Sequence, residues 1–306
     1  MSLSLDHYRS LIEARVSDPQ SLITALTSRK RRTVPGKDGK LLILAADHTS
    51  RGKLSLLDDP IAMADRYTLL DRLVRCLAMP QVDGVLASAD VLEELAWLGA
   101  LDNQLAIGTM NRGGIIGATW ELDDRMTAYD VDHIESLGLD GGKTLLRIEH
   151  SDPGVARTIE SVARVTTQLA DRKLMSLIEP LPYVTNPDGG VSLDSSDDAL
   201  IKVIAIASGL GSSSAYSWLK VPASDRMAEV AGATSLPILM LGGEPGPDPD
   251  ITFARWSAAM AEPNVRGLVA GRALLYPRDG DSENAVRRAG SIVRPHEGHS
   301  PTGGSS

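Results

Sequence analysis

An α/β protein built as a single (β/α)8 barrel is what this sequence predicts, and three observations carry the prediction. Short apolar runs of strand length alternate with longer amphipathic stretches, the pattern of a parallel sheet buried on both faces. Eight such runs are spread over about 250 residues, the length that eight strand–helix units need to close. No Gly-x-Gly-x-x-Gly follows the first run, which argues against an open doubly wound sheet, the other architecture this alternation allows.

Residues 1–40 precede the first run and read as an N-terminal helical extension that closes the bottom of the barrel. Within it, Arg29-Lys30-Arg31-Arg32 stands beside Pro35-Gly36 and reads as a solvated loop, since like charges repel and seek water. The strands are expected at 41–47, 83–87, 105–109, 141–148, 174–179, 215–221, 237–241 and 266–270. Helices are expected at 60–78, 89–99, 155–172, 195–208, 225–231 and 250–261, several opening on the Asp, Ser or Pro that starts helices. The barrel domain is therefore 41–294. Residues 295–306, ending Pro301-Thr302-Gly303-Gly304-Ser305-Ser306, are too polar to bury and are expected to be a disordered tail.

Composition limits the function classes. With 306 residues, 42% of them hydrophobic, the chain can bury one large core. Acidic residues outnumber basic ones by 40 to 31, and the net charge of -9 argues against a nucleic acid or an anionic membrane as main partner. One cysteine, Cys76, permits no intrachain disulfide; set in Leu73-Val74-Arg75-Cys76-Leu77, it reads as a buried helix position. A reducing compartment, the cytoplasm, is the expectation. No apolar run has the length of a membrane span, and Met1-Ser2-Leu3-Ser4-Leu5-Asp6-His7 lacks the basic and apolar regions of a signal peptide. Six histidines are scattered without His-x-x-x-His or similar spacing, so neither a metal site nor a cofactor is expected.

In a (β/α)8 barrel the chemistry belongs at the carboxyl ends of the strands. Those ends are polar here. The first reads Ala45-Ala46-Asp47-His48 and the third continues Thr109-Met110-Asn111-Arg112. The fourth carries Lys143, Arg147, Glu149 and His150, and the fifth ends Leu177-Ile178-Glu179-Pro180. The sixth supplies Lys220, the seventh opens into Gly242-Gly243, and the eighth ends Ala270-Gly271-Arg272. Lys220 closes the apolar stretch Ser217-Trp218-Leu219-Lys220-Val221. An amine attacks a carbonyl only when neutral, and a free lysine titrates near about 10.4, so a nucleophilic lysine needs an apolar or cationic setting. Trp218 and Val221 supply apolar neighbours in sequence, and Lys143 a second cation. The plainer alternative is a buried ion pair of Lys220 with Glu179 or Asp47 and no covalent role.

Five short motifs in order resemble the class I, Schiff-base-forming aldolases of the tagatose-bisphosphate, bacterial fructose-bisphosphate and sulfofructose-phosphate type. The likeness spans most of 41–276. Ala45-Ala46-Asp47-His48 is similar to that family's first-strand aspartate and following polar residue, and Gly142-Lys143-Thr144-Leu145-Leu146 to its fourth-strand lysine motif. Leu177-Ile178-Glu179-Pro180-Leu181 resembles its fifth-strand Glu-Pro, Trp218-Leu219-Lys220-Val221 its imine-forming lysine motif, and Gly271-Arg272-Ala273 the segment closing its phosphate site. The resemblance implies Lys220 as nucleophile, Lys143 as the neighbouring ammonium that lowers the nucleophile's pKa, and Glu179 as proton shuttle. It implies Asp47 as the group holding the lysines and a substrate hydroxyl. His48, Gly242, Gly243, Gly271 and Arg272 would contact the substrate and its phosphate.

Two features depart from the family. Glu244 follows Gly242-Gly243 where a small residue is expected, and Arg147 and His150 stand where aromatic or apolar residues are usual. Arg147 lies four residues after Lys143, on the same face of a strand, so two roles stand open: Arg147, with Arg112 and His150 nearby, meets a second anionic group of the substrate, or it makes a salt bridge on the rim, as with Glu149 or Glu179. The expected activity is cleavage or formation of a carbon–carbon bond of a phosphorylated keto sugar or keto-sugar acid, giving dihydroxyacetone phosphate and an aldehyde, in a homo-oligomer. A barrel isomerase or epimerase working without an imine and a non-catalytic sugar-phosphate-binding barrel are the alternatives.

Overall fold

The computed structural model describes residues 2–33, 36, 38–56, 58–111, 117–118, 120–187, 189–243 and 248–295. Nine strands run in chain order: β1 Leu41–Ala45, β2 Gly84–Ala87, β3 Leu105–Thr109, β4 Gly141–Ile148, β5 Met175–Thr185, β6 Val191–Leu193, β7 Ser217–Pro222, β8 Ile238–Leu241 and β9 Val265–Ala270. Eight of them pair in parallel, β4-β3-β2-β1-β9-β8-β7-β5, and a β4–β5 pairing closes the ring. The result is the (β/α)8 barrel that the alternation predicts. Only β6 is antiparallel, a short arm folded back on the end of β5.

The helices are α1 Leu5–Ser17, α2 Gln20–Ser28, α3 Arg66–Leu77, α4 Ala89–Trp97, α5 Val131–Ser136, α6 Val155–Asp171, α7 Asp197–Ser208, α8 Met227–Gly232, α9 Pro249–Ala259, α10 Arg272–Leu275 and α11 Ser282–Val293. Each barrel helix buries an apolar stripe, as α6 does with Val155, Val162, Val165 and Leu169 at helical spacing. The helix expected from residue 60 begins only at Arg66, because Asp65, whose side chain accepts from the Thr68 N–H, is the cap. Cys76 is buried in α3, and burial pushes its thiol up to about 12.

Strand alternation sorts side chains into two populations. Leu42, Leu44 and Val85 face the helices, whereas Leu41, Ile43, Ala45, Leu86, Leu105, Ile107, Met175, Leu177, Leu239 and Val269 fill the barrel axis. Large and absent side chains alternate at the floor: Leu41 is in register with Gly267, and Leu105 with Gly84. A Cβ on Gly267 would lie 1.8 Å from the Leu41 carbonyl oxygen, and its φ of +136° is one that other residues rarely adopt.

The basic run is not the solvated loop that its charge suggests. Arg29 is buried, and its Nη2 pairs with Asp140 Oδ2 at 2.7 Å and donates to the Gly138 carbonyl; Arg31 takes the other oxygen of Asp140, and Arg32 pairs with Asp83. Asp83 and Asp140 immediately precede β2 and β4, and each also accepts a backbone N–H of the preceding barrel strand, Leu42 or Ala106. The run therefore crosses the amino-terminal rim and answers two buried carboxylates there, while α1 and α2 pack outside, α2 against α4. Arg29→Met should cost about 2–4 kcal/mol in denaturant unfolding, because it strips a buried pair. Arg31→Met, at a side chain 52% exposed, should cost less than about 1 kcal/mol. The tail expected at 295–306 lies, apart from Pro295, outside the described residues.

Candidate active site

The alternation that fills the axis also sets what stands on top of it. Ile43 and Ala45 point inward on β1, so Asp47, two residues beyond Ala45, rises on the same side. Met175 and Leu177 do so below Glu179 on β5, Trp218 below Lys220 on β7, and Gly141 below Lys143 on β4. Register makes the layer: Leu177 pairs with Trp218 and Ile178 with Leu219, so Glu179 comes level with Lys220.

Four charges from four strands meet there. Lys143 Nζ lies 3.0 Å from Asp47 Oδ2 and 2.6 Å from Glu179 Oε2, and Lys220 Nζ lies 3.1 Å from Glu179 Oε1. All four residues are buried. Burial pushes the Asp47 carboxyl up, but Lys143 and then Lys220 overcome this and hold it far below the ordinary carboxylate range; Glu179 is depressed in the same way. Burial pulls the Lys143 amine down, and Asp47 and Glu179 more than offset it, so Lys143 stays an ammonium. Lys143 is locked between two carboxylates, whereas among the described residues Lys220 pairs with one, Glu179.

Part of the expected setting of Lys220 is different. Trp218 sits one layer beneath it and Val221 faces the helices, while the Glu179 carboxylate lies beside the amine. The ion pair with Glu179 that was weighed against a covalent role is present.

The turn after β1 overhangs this layer. His48–Arg51 is one 3₁₀ turn. His48 is largely buried: burial, with the charges of Arg272, Lys220 and Lys53, lowers its pKa to about 4 against the pull of Asp47. The imidazole is thus neutral at pH 7. Between pH 6.5 and 4.5 the unfolded chain protonates this histidine and the folded one does not, so stability falls as pH falls and is recovered above 6.5. His48→Gln should flatten the pH dependence of unfolding in that window by about 2–3 kcal/mol.

The proposed phosphate residues gather on neighbouring strands. Gly242 and Gly243 leave β8, and Gly271 and Arg272 leave β9. A Cβ on Gly271 would stand 2.4 Å from the Ala45 carbonyl oxygen, and one on Gly242 2.9 Å from the Ala270 Cβ, so both glycines permit close approach of strand ends. Glu244 and Arg112 lie outside the described residues.

Arg147 is engaged within the protein by a salt bridge, with Asp124 as partner in place of Glu149 or Glu179. It is fully buried, with Nη2 2.7 Å from Asp124 Oδ1, Nε 3.1 Å from the same oxygen, a bond to the Glu121 carbonyl, and its guanidinium over the Tyr183 ring. It fastens the segment after β3 onto β4. Asn111 helps from the other end: where β3–β4 pairing stops, its side chain accepts from the Leu145 N–H and donates to the Leu145 and Asp124 carbonyls. His150 is exposed on the rim, and Glu149 accepts from Ser151. A cleft of about 740 Å³ opens beside this segment, lined by Glu121, Asp123, Asp124, Glu149 and Asp152 among others. Asp124 was missed in the sequence, and Asn111 was noted only as part of a polar strand end, because their partners are remote; Arg51 is a further residue of this face that drew no attention.

Among the described residues no cluster of histidine, cysteine and carboxylate side chains could hold a metal ion, and no helix is long and apolar enough to cross a membrane.

The model of the Cgl0159-like family matches residues 39–290. The crystal structure of Cgl0159 from Corynebacterium glutamicum is 44% identical, with 96% of this chain and 98% of that one covered and a TM-score of 0.92. An archaeal fructose 1,6-bisphosphate aldolase is 19% identical over 89% of this chain and 98% of that one, with a TM-score of 0.62. Fructose-bisphosphate aldolase from Slackia heliotrinireducens is 13% identical over 94% and 93%, with a TM-score of 0.61. These last two likenesses are of fold. No curated protein matches the chain.

Proposed function

The chain belongs to the Cgl0159-like family, and from that premise we propose that it is a class I aldolase in which Lys220 forms an imine with a phosphorylated keto substrate. One observation carries this reading: Lys220 Nζ lies 3.1 Å from a buried carboxylate, Glu179, whose other oxygen is held at 2.6 Å by a second buried lysine. Such a pairing suits proton traffic at a nucleophilic amine. That the archaeal barrel of similar fold is a fructose 1,6-bisphosphate aldolase, and that another structure of that kind is described as having its catalytic lysine bound to a carbinolamine intermediate, supports it.

The Lys220 amine gives its proton to Glu179 and attacks the ketone carbon. The carbinolamine oxygen leaves as water with a proton returned from Glu179, and a protonated imine remains. The bond between the two carbons beyond it breaks, its electron pair flowing into the imine to leave an enamine, while the departing hydroxyl gives its proton to the Glu179 carboxylate, beside the imine nitrogen, and becomes the aldehyde. Protonation of the enamine carbon and hydrolysis release the ketone, dihydroxyacetone phosphate in this reading. Lys143 keeps a positive charge beside these steps, and Asp47 holds Lys143. Gly242, Gly243, Gly271 and Arg272 take the donor phosphate, the arginine by a two-pronged contact.

Sodium borohydride added with dihydroxyacetone phosphate tests this. The wild type should gain a stable adduct and lose turnover irreversibly, and Arg272→Ala should need about tenfold or more donor for half-maximal trapping. Turnover of a sugar phosphate that survives reduction, with exchange of a carbon-bound hydrogen and no cleavage, would identify an isomerase instead.

A further inference from the structure

With Arg147 paired to Asp124, it is open what meets the far end of the substrate, and the turn after β1 supplies an answer. Arg51 Nε and His48 Nε2 are buried and make no hydrogen bond among the described residues. No ion pair engages Arg51 among them either, unlike Arg147 and Lys143. The two residues occupy the first and last positions of the 3₁₀ turn, where side chains three apart share one side. A partly buried guanidinium with no carboxylate at ion-pair distance among the described residues is the kind of group an anionic ligand satisfies.

Placement distinguishes Arg51 from the phosphate site already assigned. The charge of Arg51 acts on Lys143 and Asp124, on the β3–β4 side of the mouth, while that of Arg272 acts on His48 from the β9 side. The neighbouring cleft is the less suited to an anion, because five carboxylates line it against two arginines, Arg125 and Arg157. We propose that Arg51 is the specificity residue for the aldehyde half of the substrate, binding a carboxylate or phosphate on that half, with the His48 imidazole bonding to a polar group between it and the imine. This rests on the aldolase reading and adds to it a substrate with an anion at each end. Arginine suits either anion, since its planar fork pairs two oxygens at once.

The test fixes the donor and varies the acceptor. Dihydroxyacetone phosphate is condensed with glyceraldehyde 3-phosphate, malonic semialdehyde and uncharged glyceraldehyde, and kcat/KM is compared for wild type, Arg51→Met and Arg51→Lys. Wild type should favour one of the anionic acceptors over glyceraldehyde by about tenfold to a hundredfold, as a charge-assisted contact allows. Which of the two is favoured tells a phosphate from a carboxylate. Arg51→Met should bring that ratio below about threefold, mainly through the acceptor KM, and Arg51→Lys should keep part of it. An unchanged ratio in Arg51→Met, or no preference in the wild type, overturns the proposal. A wild type that traps no donor with borohydride removes the aldolase reading itself, a result read separately.

Discussion

Lys220→Ala is expected to abolish both turnover and the borohydride-reducible adduct, with residual activity at least about 10⁴-fold below wild type, because nucleophile loss removes the covalent route entirely. The fold should survive. Lys220 has one carboxylate partner, Glu179, and that carboxylate keeps Lys143 at 2.6 Å after the substitution. Melting temperature and far-ultraviolet circular dichroism separate a folded, inactive variant from an unfolded one. A folded Lys220→Ala protein that still forms the adduct would move the nucleophile elsewhere, Lys143 being the next amine in the layer.

Lys143→Met is expected to do more harm to the fold and a different harm to catalysis. The ammonium lies within 3.0 Å of both Asp47 and Glu179, so its removal leaves two carboxylates buried against each other. Breaking such an arrangement costs about 3–5 kcal/mol. The sign of the pH effect follows from what now depresses Glu179. Burial and the charge of Asp47 raise its pKa, and Lys143, then Lys220, overcome them. Without Lys143 the raising influences gain, so Glu179 should take up its proton at higher pH and the acid limb of the trapping-rate profile should move upward by about one unit or more. Turnover should fall at least about a hundredfold. An acid limb that stays in place would contradict the role given to Lys143 as the cation that keeps Glu179 ionised.

Much of this was readable in the chain because strands obey a period of two. Once Leu41, Ile43 and Ala45 are taken as inward, Asp47 must follow them, and the same count lifts Glu179 above Leu177 and Lys220 above Trp218. Eight apolar runs gave eight barrel strands for the same reason. What periodicity does not carry is partner choice across the sequence. It placed Arg147 correctly on the inward face of β4, yet the carboxylate that occupies it, Asp124, comes from 23 residues away in an irregular segment. Arg29 was misread likewise: a local cluster of like charge suggested water, while Asp140, 111 residues on, takes it into the rim. The arm β6 also escaped: the fifth strand was expected to end at residue 179, whereas β5 runs on to Thr185 and pairs there with β6, past the turn-forming Asn186-Pro187 and Gly189-Gly190. Arg51 sits in a 3₁₀ turn with no periodic mark, and what singles it out is a buried Nε with no hydrogen-bond partner among the described residues.

The central claim is that one lysine, at the end of the sixth barrel strand, becomes covalently bound to the keto substrate. Peptide mass mapping of wild-type protein reduced with borohydride in the presence of dihydroxyacetone phosphate tests it most directly. The account predicts a single modified peptide, containing Ser217-Trp218-Leu219-Lys220, with the added mass of the reduced donor on Lys220. An adduct on Lys143, on another lysine, or on none would contradict it.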